Sequence, residues 1–156
     1  MNKEIQDYPH IDVNPVILTK DKKIILSRRK SEVFEGNKWH LPGGRLLLGE
    51  RIEEALKRLT NIKTGYEISL LTGSLSNDLV GVYDDPARDK REHVVSLAYL
   101  CRISGDKNHL SYNVSEVNAF NKEDIDNLSI AFDHRTILAD AFNYIEKSTH
   151  DYLFTK

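Results

Sequence analysis

The segment from Leu41 to Gly65 constrains the fold more than any other part of the chain. Pro42-Gly43-Gly44 opens it, Arg45-Leu46-Leu47-Leu48-Gly49-Glu50 follows, and Ile52, Ala55, Leu56, Leu59 and Ile62 then recur at three- and four-residue spacing. That spacing puts them on one side of a helix at about 100° per residue. Gly65 is placed to stop it. A one-sided apolar helix needs another layer to cover its stripe, and the remaining sequence predicts a sheet. Residues 12–18, the polar Lys20-Asp21-Lys22-Lys23 and residues 24–26 form a strand, turn, strand pattern, hence a hairpin. Residues 68–82 and 94–103, rich in Leu, Val and Tyr, predict two more strands joined by the polar loop 83–91. Asn121 is placed to cap a short helix over 122–128. Asp133 precedes a longer helix whose stripe is Ile137, Leu138, Ala141, Phe142 and Ile145. The order strands, helix, strands, helix predicts an α+β fold with helices packed on a mixed sheet.

Composition narrows the setting. A chain of 156 residues is the size of one domain, with its core expected over about 11–147 and a short tail at 148–156. The 22 basic and 24 acidic side chains leave a formal charge of -2. The total therefore favours neither a bulk grip on nucleic acid nor one on an anionic membrane. The single cysteine, Cys101, excludes an intrachain disulfide and a cysteine zinc site. No apolar run approaches the roughly 20 residues that span a bilayer, and residues 1–10 lack a signal-peptide core. The expected location is the cytoplasm. His10, His40, His93, His109, His134 and His150 show no HxH or HExxH spacing, which argues against a zinc site.

The Leu41–Gly65 segment resembles the Nudix box, G-x5-E-x7-R-E-U-x-E-E-x-G-U with U aliphatic, and Gly44, Glu50, Arg58 and Gly65 match it in register. The lead-in Ile25-Leu26-Ser27-Arg28-Arg29-Lys30 and Gly36-Asn37-Lys38-Trp39-His40 resembles that family too. Residues 85–99 and 131–138 resemble its ADP-ribose pyrophosphatase branch. The resemblance implies an α/β/α sandwich with a mixed sheet between helices, a divalent cation (Mg²⁺ or Mn²⁺), a small nucleotide-diphosphate ligand and a homodimer. In the family, glutamates after the box arginine hold the metal, because hard cations want carboxylate and carbonyl oxygens. Here Leu59, Ile62 and Lys63 stand at those positions. The Arg-Leu-Thr wording at residues 58–60 also resembles GDP-mannose mannosyl hydrolases.

Carried over residue by residue, the resemblance gives Gly43 through its carbonyl, Glu50 and Glu54 as metal ligands, and Glu50, Arg58 and Glu116 as the catalytic set. Glu116 resembles a glutamate brought in on a late loop. Glu50 is expected to pair with Arg58, and Glu54 is placed to reach Arg58 at i,i+4. Arg29, Arg45, Arg88 and Arg91 are candidates for the diphosphate or ribose, since guanidinium forks suit phosphate oxygens. Tyr83 is a candidate for stacking on a base, and Lys63 for supplying charge that a metal otherwise brings. Two functions follow as expectations. One is an impaired Nudix hydrolase of ADP-ribose or an NDP-sugar. The other is a catalytically silent Nudix module that binds such a ligand as a sensor or protein-interaction domain.

Overall fold

Strand β1 (His10–Leu18) ends in the apolar run Pro15-Val16-Ile17-Leu18, and Val13 to Leu18 are all buried. Such a continuous run suits a strand covered on both faces. In the computed structural model, which describes residues 8–105 and 114–147, β1 lies parallel to β7 (Val94–Gly105) in register from His10 opposite Val94 to Leu18 opposite Arg102. The tail 148–156, His109 and His150 lie outside the described residues. The hairpin partner β2 (Ile24–Arg29) runs antiparallel to β1, with Leu18 opposite Ile24. The short strands β3 (Trp39–His40) and β4 (Gly44–Arg45) pair with β2 and β1. β5 (Glu67–Leu70) and β6 (Leu79–Tyr83) both pair with β7, and β8 (Val114–Phe120) pairs with β2. The result is one mixed sheet of order β3-β2-β1-β7-β5, extended by β4, β6 and β8.

Because successive side chains leave a strand on opposite faces, the sheet has two cores. Val16, Leu18, Leu26 and Leu100 pack with Ile137, Leu138, Ala141 and Phe142 of α4 (His134–Lys147) and with Ile125 of α3 (Lys122–Asp126). Val13, Ile17, Ile25 and Tyr99 pack on the other face with Ala55, Leu56 and Leu59 of α1 (Ile52–Thr64). The α+β expectation and its helix, sheet, helix layering are therefore met. α1 begins where the Arg51 N–H reaches the Glu54 carboxylate at 2.9 Å. It ends at Gly65, left-handed at φ 78, whose N–H closes on the Asn61 carbonyl. Asn121 caps α3 as expected, its side chain accepting from Asp124 N–H at 2.8 Å.

Several details depart from the sequence reading. Residues 68–82 are not one strand: a turn with Gly73 at φ +86 and the short helix α2 (Leu75–Asp78) separate β5 from β6. The cause is local, since the buried Asp78 carboxylate takes both the N–H and the hydroxyl of Thr72 and so fixes a tight corner. Ile62 belongs by spacing to the apolar stripe of α1, yet it is 46% exposed. Glu116 sits in strand β8 rather than on a loop, opposite Arg28 and bonded to it at 2.8 Å. Among the described residues no helix is long and apolar enough to cross a membrane.

Leu56, 1% exposed, and Ile62 make a matched test of which face of α1 is buried. Leu56→Ala is expected to lower unfolding free energy by about 2–5 kcal/mol, and Ile62→Ala by no more than about 0.5 kcal/mol, measured by urea denaturation.

Candidate active site

Gly43 meets β1 at a distance that leaves no room for a side chain, and Gly44 packs tightly beneath α1. A Cβ on Gly43 would lie 2.2 Å from Asn14 Oδ1 and 2.3 Å from the Val13 carbonyl, and one on Gly44 would lie 3.0 Å from Leu59 Cδ2. That close approach brings the loop, the end of α1 and the β1–β7 edge around one cavity of about 230 Å³. Glu50 and Arg58 brace the loop. Arg58 Nε and Nη2 donate to the two Glu50 oxygens at 2.6 and 3.0 Å, Nη2 also reaches the Arg45 carbonyl at 2.8 Å, and Glu50 accepts from Leu47 N–H at 3.0 Å. The Arg58 guanidinium, by hydrogen bonding foremost, holds the Glu50 carboxyl below its ordinary range.

Five cationic side chains line the cavity, Arg29, Arg45, Lys63, Arg88 and Arg91, against the two carboxylates Asp12 and Asp89. Three of the five are already matched. Arg45 pairs with Asp12 at 3.1 Å and with Glu92. Arg88, its side chain 6% exposed, grips Asp133 through two bonds of 2.8 and 2.6 Å. Arg91 bonds both oxygens of Asp89. Neither Arg29 nor Lys63 has a carboxylate in ion-pair contact among the described residues; Arg29 Nε goes to the Phe34 carbonyl at 2.8 Å, and the Lys63 ammonium to the Gly43 carbonyl. Burial foremost, then the nearby Arg29 charge, brings Lys63 down to about 8, while Asp12 pulls the other way.

Two imidazoles form part of the same wall. His40 shares a 2.9 Å hydrogen bond with Ser27, and His134 Nδ1 accepts from Leu41 N–H at 3.0 Å, so the His134 proton resides on Nε2. Burial drives both towards the neutral form, His134 to about 3. Asn14 donates to Ser96 Oγ at 3.2 Å across the parallel strands. These four were not singled out as site residues by sequence. The available signal for Asn14, His40 and Ser96 was a polar side chain inside an otherwise apolar strand, and His134 at the head of α4 had none.

The cavity thus gathers Gly43, Arg29, Arg45, Lys63, Arg88 and Arg91. It does not gather the rest. Tyr83 donates to Asp140 of α4 at 2.8 Å and packs against the α4-side core. Glu54 caps α1 and makes no pair with Arg58, whose guanidinium is committed to Glu50. Glu116 is held by Arg28, and Asp133 serves Arg88. The donor set does not suit a hard cation at the box: the Gly43 carbonyl faces an ammonium, Glu50 a guanidinium, and Glu54 a backbone N–H. Among the described residues no group of three or more His, Cys, Asp or Glu side chains could hold a metal ion.

The chain matches the NUDIX domain family model over residues 9–141. It belongs to that family. It is 35% identical, over 85% of its own length and 73% of the relative's, to an ADP-ribose pyrophosphatase of Methanocaldococcus jannaschii. Its fold is that of the NUDIX domain of Shewanella oneidensis NrtR, solved with ADP ribose, at TM-score 0.74 and 22% identity, covering 93% of this chain and 94% of that one. A bifunctional NMN adenylyltransferase/ADP ribose pyrophosphatase of Francisella tularensis, solved with AMP and a Mn ion, aligns at TM-score 0.69 and 22% identity over 87% of this chain and 42% of that one.

Lys63 titrates near 8 in the fold against 10.5 for a free lysine, so the unfolded chain binds the additional proton between those values. The contribution of this group to stability therefore rises with pH across that window. The unfolding free energy of the native chain relative to Lys63→Met is expected to be flat below pH 7 and to climb from about pH 8 to 10. Parallel curves in denaturant titrations over that range would show that Lys63 titrates as a free lysine.

Proposed function

We propose that this chain is a Nudix protein that holds a nucleoside diphosphate linked to another moiety, of the ADP-ribose or NDP-sugar class, using side-chain cations where relatives use a divalent metal. One observation carries the reading: Lys63 and Arg29 face a cavity of about 230 Å³ with no carboxylate in ion-pair contact with either among the described residues. A diphosphate supplies the missing negative charge, and arginines at its margin offer paired N–H donors to its oxygens. The likeness to a protein named ADP-ribose pyrophosphatase and to a domain crystallised with ADP ribose supports the same ligand class.

Lys63 substitutes for charge but not for all the chemistry. An ammonium attracts phosphate oxygens as a point charge, whereas a bound metal also lowers the pKa of water to make hydroxide. Glu50 and Arg58 act as positioning residues that hold the loop, and no carboxylate among the described residues is left free beside Lys63 to serve as a base for water. Binding with little or no hydrolysis follows. Hydrolysis is the second reading, favoured by the 35% identity to a pyrophosphatase. It would require Mg²⁺ or Mn²⁺ to arrive with the ligand's own phosphates. Association as a homodimer and residence in the cytoplasm, expected from the family resemblance and the composition, form part of this proposal.

Isothermal titration with ADP-ribose and with GDP-mannose, in Mg²⁺ and again in EDTA, with chromatography of the products, tests the proposal. Binding of one of them is expected to survive EDTA, to weaken about tenfold or more in Lys63→Met, and to yield no product. Product formed only with Mg²⁺, or binding abolished by EDTA, would establish the hydrolase reading instead.

A further inference from the structure

The cavity is polar almost throughout, and the apolar exception in its lining is Phe132. Its ring lies 6.2 Å from that of Phe34, the planes inclined by 30°. Phe34 is 41% exposed on the loop that follows β2. Two guanidiniums rest on this pair. Arg91 lies 4.6 Å from the Phe34 centroid and 5.3 Å from that of Phe132, and Arg29 lies 5.0 Å from Phe132. Since 4.6, 5.3 and 6.2 Å are the sides of a triangle, the Arg91 guanidinium covers both rings from one side rather than being clamped between them. A flat, delocalised group thus already occupies the aromatic face.

The backbone is bent to present these rings. Among the described residues, the non-glycine positions with positive φ are Lys22, Glu35, Asn37 and Phe132. Three of the four flank Phe34 or are Phe132 itself. A bulky residue held at φ 55 is strained, and such strain persists where surrounding structure fixes it, commonly at binding sites. Here the fixing contacts are visible. Arg29 Nε holds the Phe34 carbonyl, Asn37 N–H reaches the Arg29 carbonyl at 3.0 Å, and Phe132 lies between Ala131, whose N–H bonds the Trp39 carbonyl, and Asp133, gripped by Arg88.

We propose that Phe34 and Phe132 form a stacking platform for the nucleobase of the ligand, beside the cations of the cavity. The inference rests on the nucleoside-diphosphate reading above and gives the ligand a direction. A nucleoside diphosphate has one large flat apolar surface, its base, and the cavity has one matching surface. Arg29 links platform and cations, since its charge acts on Lys63 while its guanidinium lies over Phe132. On binding, the base takes the face that Arg91 covers, and Arg91, tethered by Asp89, is released towards the phosphates. Stacking of this kind tolerates any base but favours a purine, whose larger π-face covers more of the ring pair. Tyr83, the candidate for this role by sequence, is held away by Asp140.

The test compares ADP-ribose with inorganic pyrophosphate, which has the charge but no base, by isothermal titration in EDTA. Phe34 is exposed enough that Phe34→Ala should fold, which circular dichroism checks. Phe34→Ala is expected to weaken ADP-ribose about tenfold or more, to leave pyrophosphate unchanged, and to be rescued by Phe34→Tyr. Equal loss for both ligands, no loss for either, or failure of Phe34→Tyr to restore affinity overturns the platform while leaving the anion site intact. If native protein binds pyrophosphate but not ADP-ribose, the platform is again wrong and the charge assignment stands. If it binds neither, both readings fall together.

Discussion

The architecture hangs on how closely Gly43 and Gly44 lie against β1. The sheet is built outward from the parallel β1–β7 pair, and the loop that leads into α1 must cross the edge of β1 at a separation that excludes any Cβ. Because Gly44 pairs into the sheet as part of β4 while a Cβ there would lie 3.0 Å from Leu59 Cδ2, that crossing sets the depth at which α1 packs. It also sets the height at which Lys63, one turn further along, meets the Gly43 carbonyl. The Glu50–Arg58 bridge then prevents the intervening loop from lifting. Sheet, helix and cavity are thus coupled through a few backbone contacts.

That coupling explains how an ammonium is held against the Gly43 carbonyl. A buried cation is costly unless something nearby favours it. Lys63 has a carbonyl in direct contact and the Asp12 carboxylate near enough to act on it, but it also has Arg29 beside it. The balance leaves it charged at neutral pH with little to spare. An anion entering the cavity improves that balance, whereas a divalent cation worsens it. Arg88 and Asp133, by contrast, satisfy each other, and their role is to bind the 84–91 loop to the start of α4.

Elements with strong local periodicity were legible in the sequence: the first hairpin, α1, α3 and α4. What was missed has identifiable causes. β3 and β4 span two residues each, too short for any period to show, and β8 is largely polar because one of its faces is in water. Residues 68–82 look uniformly strand-like, and the short-range Asp78–Thr72 contact that breaks them is a side-chain capture that no hydrophobic period records. The cationic set of the cavity was readable because arginine and lysine near a box motif are conspicuous. Phe34, Phe132, His40 and His134 were not, since their significance lies in being brought to one place from the β2–β3 loop, β3 and the head of α4. Ile62 shows the limit of periodicity: its place in the pattern is right, yet it is 46% exposed.

The neutral imidazoles have a consequence for how this cavity reports on itself. His40 and His134 are the groups in its wall that would ordinarily titrate near neutrality, and burial removes both from that range. The floor of the site is therefore silent to protons under physiological conditions. Among the groups lining the cavity, the Lys63 ammonium is then the one brought closest to neutrality, so a mildly alkaline inflection in ligand affinity points to that amine or to the ligand's own ionisation.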